Sequence, residues 1–523
     1  MGDDRAERRQ SPYGVSKRAR QACGNCRRKK SKCTGEKPAC SFCVRLQQDC
    51  VYARHQHSPS NHEEDLRGSE LATSHGTRLS AIETQLKQMA AAIDDTQPPF
   101  SKAILSEGIK LFFSEYYNQP CPLLSELYTF NPETDDPPPS IILYPMLALS
   151  MRSSHTYLNE GVSKWELLDR FTRSSWDLFA EAYSAFDFND EYLLGLCILV
   201  QVDAGDGRME RARTQVSLGL QVAQSQGLLS ADSLDGLEPI IRTRRQEIVW
   251  SLFLLDRMML GASSRYPSLP SAAFELPLCG NGPTPRNWNP QMQSATSSIV
   301  RLHTEANHVQ YSVLSLNIKI MSIWENVIVD VTRSPSDTDV PLWRHNSPRA
   351  SLLTQIMEFE TICQMSFHHY SSTGPPTRVL VDPSLRDYFV VWIYFQLVLS
   401  VTQCCLNHPF IIYTQTIHHR HVMPITFLQK SYEQSMIYAN WVARLLDDIE
   451  NAHLAVRNPF LGRLVAIAAS IHLEYTINQN PKIAVPARMK FERCVNFVKR
   501  VAQEWPDMMK TVSGSLSFVP KCM

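Results

Sequence analysis

Cys23-Gly24-Asn25-Cys26-Arg27-Arg28-Lys29-Lys30-Ser31-Lys32-Cys33 is followed, six residues on, by Cys40-Ser41-Phe42-Cys43-Val44-Arg45-Leu46-Gln47-Gln48-Asp49-Cys50. Both stretches have the spacing Cys-x2-Cys-x6-Cys, so the segment is an internal repeat and predicts a pseudo-twofold unit. A structural zinc takes four thiolates in a tetrahedron. Six thiolates close two such sites only if two sulfurs are shared between the metals. About thirty residues cannot bury a core of their own, so metal is expected to hold this segment together. Three disulfides would use the same cysteines, but they need an oxidising compartment. Residues 1–20 are polar and charged, without the apolar stretch of a secretory leader, and are read as a basic, disordered tail.

The halves share their cysteines but not their charge. Between Cys26 and Cys33 lie Arg27, Arg28, Lys29, Lys30 and Lys32; between Cys43 and Cys50, Arg45 and Asp49 cancel. Residues 1–57 carry a net charge of +9, and the neutral chain therefore has −9 in the remainder. A basic head on an acidic body is the electrostatic footprint of a nucleic-acid binder. Lys17-Arg18-Ala19-Arg20 alone would mean little; the run from Arg27 to Lys32 differs because metal ligands on both sides fix its geometry.

Residues 21–52 resemble the fungal binuclear zinc cluster DNA-binding domain, the galactose-regulator type. All six ligands are present, as is Pro38, the proline two residues before the fourth cysteine that shapes the inter-half loop in that family. The resemblance implies two zinc ions held by Cys23, Cys26, Cys33, Cys40, Cys43 and Cys50, with Cys23 and Cys40 bridging. It also implies a helix after the second cysteine that enters the major groove of double-stranded DNA. The base-reading position falls on Lys30, with Lys29 beside it; a lysine donor suits guanine in the CGG triplets such modules read. Arg27, Arg28 and Lys32 are assigned to phosphates, which position without specifying.

Residues 53–70 are rich in His, Ser, Glu and Gly and read as a flexible linker. Across 71–95, Leu79, Ile82, Leu86, Met89 and Ile93 follow at steps of 3, 4, 3 and 4, an a/d seam of little more than two heptads. One reading is an amphipathic helix packed on the body. The other, which the resemblance implies, is a short coiled coil pairing two heads as a homodimer. Pro98-Pro99 ends the helix.

Residues 100–510 read as a large all-α domain, making the fold class mainly α: cysteine cluster, short coiled coil, helical body. Helices are expected at 101–117, 163–185, 190–203, 207–226, 243–262, 351–370, 385–406, 426–449, 460–477 and 486–504. Arg244 to Arg257, ending Leu254-Leu255-Asp256-Arg257, resembles the signature helix of the fungal transcription factor regulatory domain. That domain continues to Gly-Arg-Pro, whereas this chain reads Ser264-Arg265-Tyr266-Pro267. Leu406 to Phe410 and Trp505-Pro506 are similar to the same domain. For the signature helix itself, core packing with surface arginines is the favoured reading.

Tyr388 to His408 contains no Asp, Glu, Lys or Arg, yet Gln396, Ser400, Thr402 and Gln403 dilute it, so a buried helix is expected rather than a membrane span. The remaining eight cysteines show no metal spacing and are expected as buried thiols. His368, His369, His418, His419 and His421 read as loop histidines. Phosphate-binding glycine loops, nucleophile elbows and His-Glu-x-x-His are absent, and no catalytic residue is assigned. The resemblance implies a nuclear regulator of RNA polymerase II transcription that engages the transcription machinery, takes a small-molecule effector and controls a pathway-specific or secondary-metabolite gene cluster. Two rival readings are a co-regulator that acts only as a heterodimer, and a metabolite-binding or enzymatic α-domain with an accessory zinc module.

Overall fold

The computed structural model describes residues 22–52, 100–119, 121–125, 136–154, 163–261, 266–278, 312–336, 339–363, 379–380, 382 and 385–508. The basic tail, the linker and the 71–95 seam lie outside the described residues. The chain divides into two units, Met1–Pro98 and Pro99–Met523. Among the described residues there is no strand.

The first unit contains two five-residue helices, α1 (Gly24–Arg28) and α2 (Ser41–Arg45). Neither could persist alone at that length; the cysteines around them form their own buried cluster.

In the second unit, α3 (Lys102–Leu111), continued by a π turn through Tyr116, packs on α4 (Ser140–Ser150). Helices α5 (Lys164–Ser184), α6 (Asp190–Gly205), α7 (Met209–Ser225) and α8 (Pro239–Met258) follow. Helix α6 is apolar on every side from Leu193 to Val200 because α4, α5, α7 and α8 all pack on it. The chain then forms α9 (Val313–Val331), α10 (Pro348–Ile362), α11 (Arg386–Asn407), α12 (Pro409–Gln415), α13 (Ile425–Asn451), α14 (Pro459–Thr476) and α15 (Pro481–Glu504). Helix α11, without charge from Tyr388 onward, is long and apolar enough to cross a membrane by composition, but 89% of its apolar window is buried against other helices, including α9, α13 and α14. Among the described residues, one large hydrophobic cluster runs through all of these helices except the short α12.

The helix starts show why several boundaries precede those expected. Prolines Pro239, Pro348, Pro409, Pro459 and Pro481 stand in the first turn, where the missing N–H costs nothing, so they open helices instead of breaking them. Side-chain caps at Ser163, Asn189 and Ser312 fix other starts, and Ser347 caps the start that Pro348 opens. Helices α4, α9 and the short α12 were not expected at all. Helix α4 carries Pro145 in its interior, which removes the bond to the Ile141 carbonyl. Gly195 of α6 lies directly against that carbonyl, where any β-carbon would collide with it. The glycine therefore lets two helices approach at the gap the proline leaves.

Buried polar clusters stitch the body, among them two built on Arg257 and Arg152. At the first, Arg257 is fully buried, which corrects the expectation that the arginines of the signature helix lie on the surface. Its guanidinium meets Asp256 at 2.9 Å and Glu325 of α9 at 3.0 Å, donates to Leu269 O at 2.7 Å, and lies 4.1 Å from the Phe253 ring centroid. Burial draws the Arg257 pKa down, opposed by both carboxylates, and pushes Asp256 up. At the second, Arg152 pairs with Asp206 at 2.8 Å, donates to Glu504 O at 3.2 Å and covers the Trp505 ring at 4.0 Å. Trp505 Nε1 donates to Arg457 O at 2.8 Å, and Gly205 gives the indole its space. The end of α15 is thereby locked to the start of the body.

Candidate metal centre and nucleic-acid interface

The two halves of the head are the same structure seventeen residues apart. Cys23 and Cys40 are the N-caps, at φ −64°, ψ 157° and φ −72°, ψ 146°. Arg27 N–H donates to Cys23 O at 3.0 Å, as Val44 N–H does to Cys40 O at 3.1 Å. Ser31 N–H then donates to Cys26 O and Gln48 N–H to Cys43 O, both at 3.0 Å. Between those bonds, Lys30 and Gln47 take left-handed backbone, φ 49° and 47°. This reverses the chain and returns Cys33 and Cys50 toward the first four thiols.

The sulfur of Cys23 lies 3.8 Å from that of Cys40 and 3.6 Å from that of Cys43, while Cys26 Sγ lies 3.8 Å from Cys40 Sγ. A tetrahedral zinc with Zn–S of about 2.3 Å has ligand–ligand edges of about 3.8 Å, so these are the spacings of sulfurs on a common metal. Cys23, Cys26, Cys40 and Cys43 all have ligand atoms within 4.8 Å of one another and are buried. Cys33 and Cys50 complete the set: Cys50 Sγ accepts from Cys40 N–H at 3.2 Å. Burial among the other thiols pushes Cys26 up to about 12 and raises Cys43 as well. Neither would ionise at neutral pH without a cation beside it, and binding of zinc supplies that cation.

Residues outside the ligand set hold it in place. Tyr52 Oη lies 3.6 Å from Cys33 Sγ and donates to Glu36 O at 3.1 Å. Gly24 N–H donates to Val51 O at 2.9 Å and Asn25 Nδ2 to Asp49 O at 2.6 Å, closing the end of the second half onto the start of the first. Glu36 accepts from Ser41 N–H at 2.8 Å. Tyr52, Asn25 and Glu36 were not singled out from the sequence; Asn25 adjoins Cys26 and Tyr52 follows Cys50 by two residues, whereas Glu36 stands in the joining loop with no such signal. The Lys37–Pro38 bond in the joining loop is cis.

All five cations of the first half are exposed. Their placement differs from expectation in one respect: the helix spans Cys26 and ends at Arg28, so Lys29 caps it and Lys30 stands in the turn beyond. Lys29 Nζ donates to Gln48 Oε1 at 2.9 Å, and Arg28 to Asn25 Oδ1 at 2.6 Å, which ties both to the second half or its partner side chains. The equivalent surface of the second half presents Val44, Arg45, Leu46 and Gln47, with Val44 60% exposed and no comparable charge.

In the body, Cys121, Cys197, Cys363, Cys404, Cys405 and Cys494 are buried thiols, while Cys279 and Cys522 lie outside the described residues. His419 Nε2 lies 3.1 Å from Asp339 O, and His368 and His369 lie outside the described residues. His408 caps α12, its Nδ1 accepting from Phe410 N–H at 3.2 Å, and is packed against Ser470 Oγ at 2.9 Å. One recess lined by Tyr116, Gln119, Gln201 and Trp505 holds about 10 Å³, room for one water.

Residues 21–59 match the family model of the fungal Zn(2)-Cys(6) binuclear cluster domain. The chain is 20% identical over 581 aligned positions to the Zn(2)-C6 fungal-type transcription factor FTF1c of Fusarium oxysporum f. sp. lycopersici, covering 94% of this chain and 60% of that protein. It is 19% identical to transcription factor FTF2 of the same organism, covering 94% of this chain and 52% of that protein. The chain thus spans little more than half the length of these relatives. They are named as transcription factors, not as enzymes. The head is a binuclear zinc cluster domain, and its cofactor is two zinc ions.

Proposed function

We propose that this zinc cluster chain is a nuclear, sequence-specific DNA-binding regulator of RNA polymerase II transcription. The observation that carries the reading is the set of five exposed cations between Arg27 and Lys32, fixed between buried thiols in one half of a repeat whose other half lacks the charge. Metal-held geometry turns a charge run into a surface of defined shape, which is what base reading requires beyond attraction to phosphate.

In this reading Cys23 and Cys40 bridge the two zincs. Their sulfurs support it, since each has short contacts both to the other and to a thiol of the opposite half. Cys26 and Cys33 complete one tetrahedron, and Cys43 and Cys50 the other. Lys30 reads a guanine of a CGG-like triplet, with Lys29 alongside and held by Gln48. Arg27, Arg28 and Lys32 contact phosphates. Leu79, Ile82, Leu86, Met89 and Ile93 pair two chains, so that a homodimer reads two triplets. The helical body contacts effectors and the transcription machinery. The target is a pathway-specific or secondary-metabolite gene cluster.

The test is zinc content together with selection from random double-stranded DNA by the full chain. Two zincs per chain and enrichment of paired CGG-containing sites are expected. Enrichment of no sequence, with both zincs bound, would sink the base-reading role and leave a head that only holds phosphate.

A further inference from the structure

Helix α5 ends in a way that packing of the body does not explain. Phe186 N–H donates to Tyr183 O at 3.2 Å and Asp187 N–H to Ala182 O at 3.0 Å, which closes the last turn. Phe186 thereby occupies the left-handed position after the cap, φ 55°. Glycine is the ordinary residue there, because a β-carbon crowds that conformation. This chain has a phenylalanine, and its ring gains nothing by burial: it is 81% exposed. It stacks on Tyr183 at 6.5 Å and meets Phe188 edge-on at 6.0 Å. Phe188 in turn stands 5.1 Å from Tyr192, which is buried in α6 and roots the group. The result is a preformed aromatic ridge on a rigid base.

The rim of the ridge is acidic. From Ser174 to Gly207 the sequence has no Lys or Arg. Glu181 and Asp187 are exposed on the ridge itself. Asp190 lies 3.6 Å from Arg245, whose Nη1 also donates to Ser233 O at 3.4 Å. Arg245 therefore ties to the ridge a turn that carries exposed Asp232 and Asp235. Such a rim repels nucleic acid and anionic lipid alike, and it complements a cationic one. Exposed aromatic side chains on a rigid element are the residues that make docking anchors.

We propose that the Tyr183–Phe186–Phe188 ridge docks into an apolar cleft, rimmed by Lys and Arg, on another protein. This is the surface through which the DNA-bound chain engages its regulatory partner, a clause that rests on the function proposed above. Phe186 is kept at a backbone position suited to glycine because the ring is needed by the partner.

The full chain, fused to an unrelated sequence-specific DNA-binding domain, is placed on a reporter gene carrying that domain's operator. This arrangement bypasses the zinc head, so a failure of DNA reading by the head leaves the result unaffected. Phe186→Gly, the pair Tyr183→Ser with Phe186→Ser, and Asp187→Lys should each reduce the chain's effect on the reporter by a factor of about five or more. Phe186→Gly should also melt no lower than the parent, since it relieves the backbone. Ile425→Ser, at a site 83% exposed elsewhere on the body, should change nothing. Equal reporter output from parent and ridge variants, or a parent output equal to that of the tethering domain alone, would overturn the proposal. So would loss of a dimer in sedimentation of the ridge variants, which would identify the occupant as a second copy of the chain.

Discussion

Lys30 and Gln47 hold the same backbone place in the two halves of the head, left-handed at φ 49° and 47°, seventeen residues apart. One is a cation and the other is neutral, on otherwise matching scaffolds. The repeat therefore contains its own control: the fold needs the turn in both halves, and only the first half loads it with charge.

Exchanging these two side chains tests the division between reading and folding. Lys30→Gln should leave zinc content unchanged, cost about 1–3 kcal/mol on the preferred site and relax base preference there. Gln47→Lys in the same chain should not restore it. Arg27→Ala should weaken all DNA to a similar degree and lower the salt slope by about one. Titrations over a range of salt measure both, and identical behaviour of the Lys30 and Arg27 variants would remove the distinction.

Cysteine substitutions separate shared from terminal ligands. Cys23→Ser takes a sulfur from both tetrahedra in the proposed arrangement, whereas Cys26→Ser takes one from a single tetrahedron. Native mass spectrometry should find the larger zinc loss in Cys23→Ser, with the helical signal of the body retained in both. A Cys23→Ser chain that keeps two zincs would refute the bridging role.

The Arg257 cluster should govern the stability of the body. Arg257→Leu leaves Asp256 and Glu325 buried without their cation, so a loss of about 3–5 kcal/mol is expected in denaturant unfolding. Adding Asp256→Asn and Glu325→Gln to that variant should recover part of the loss, since the uncompensated charges go with them. No recovery would mean that packing over Phe253, not charge, is the main contribution.

His408 gives the body an acid sensitivity of known sign. Burial lowers its pKa from 6.5 to about 4, so the folded state keeps the imidazole neutral while the unfolded chain protonates it. Its contribution is fully present above pH 6.5 and is lost as the pH falls toward 4. Protonation of Nδ1 would also end the cap on Phe410. Buried Glu504 and Glu474 have raised pKa values and act with the opposite sign. The measurement is therefore the difference between parent and His408→Asn, which keeps a capping side chain without the titration. The parent should lose stability relative to the variant between pH 6.5 and 4; parallel curves would contradict the assignment.

Much of the head was legible because its chemistry is local. Cys-x2-Cys places two thiols on one short turn, and the repeat of the spacing implies both the twofold and the sharing of ligands. The long helices of the body were legible from their apolar periodicity. Helix α4 was not, because Pro145 reads as a break until Gly195 is seen covering the freed carbonyl of Ile141. Helix α9 was not, because its run of Val and Ile has the composition of a strand and only burial between α8, α10 and α11 makes it a helix.

The sequence by itself determined the metal, its stoichiometry and the asymmetry of charge, since these depend on residue type and spacing along a few turns of chain. Tertiary structure alone decided that Arg257 is a core residue, that Trp505 locks the two ends of the body together, and that Phe186 stands exposed in a glycine's place. Each of those depends on what a distant segment brings to the same point, and burial and charge pairing between segments far apart in sequence leave no local pattern to read.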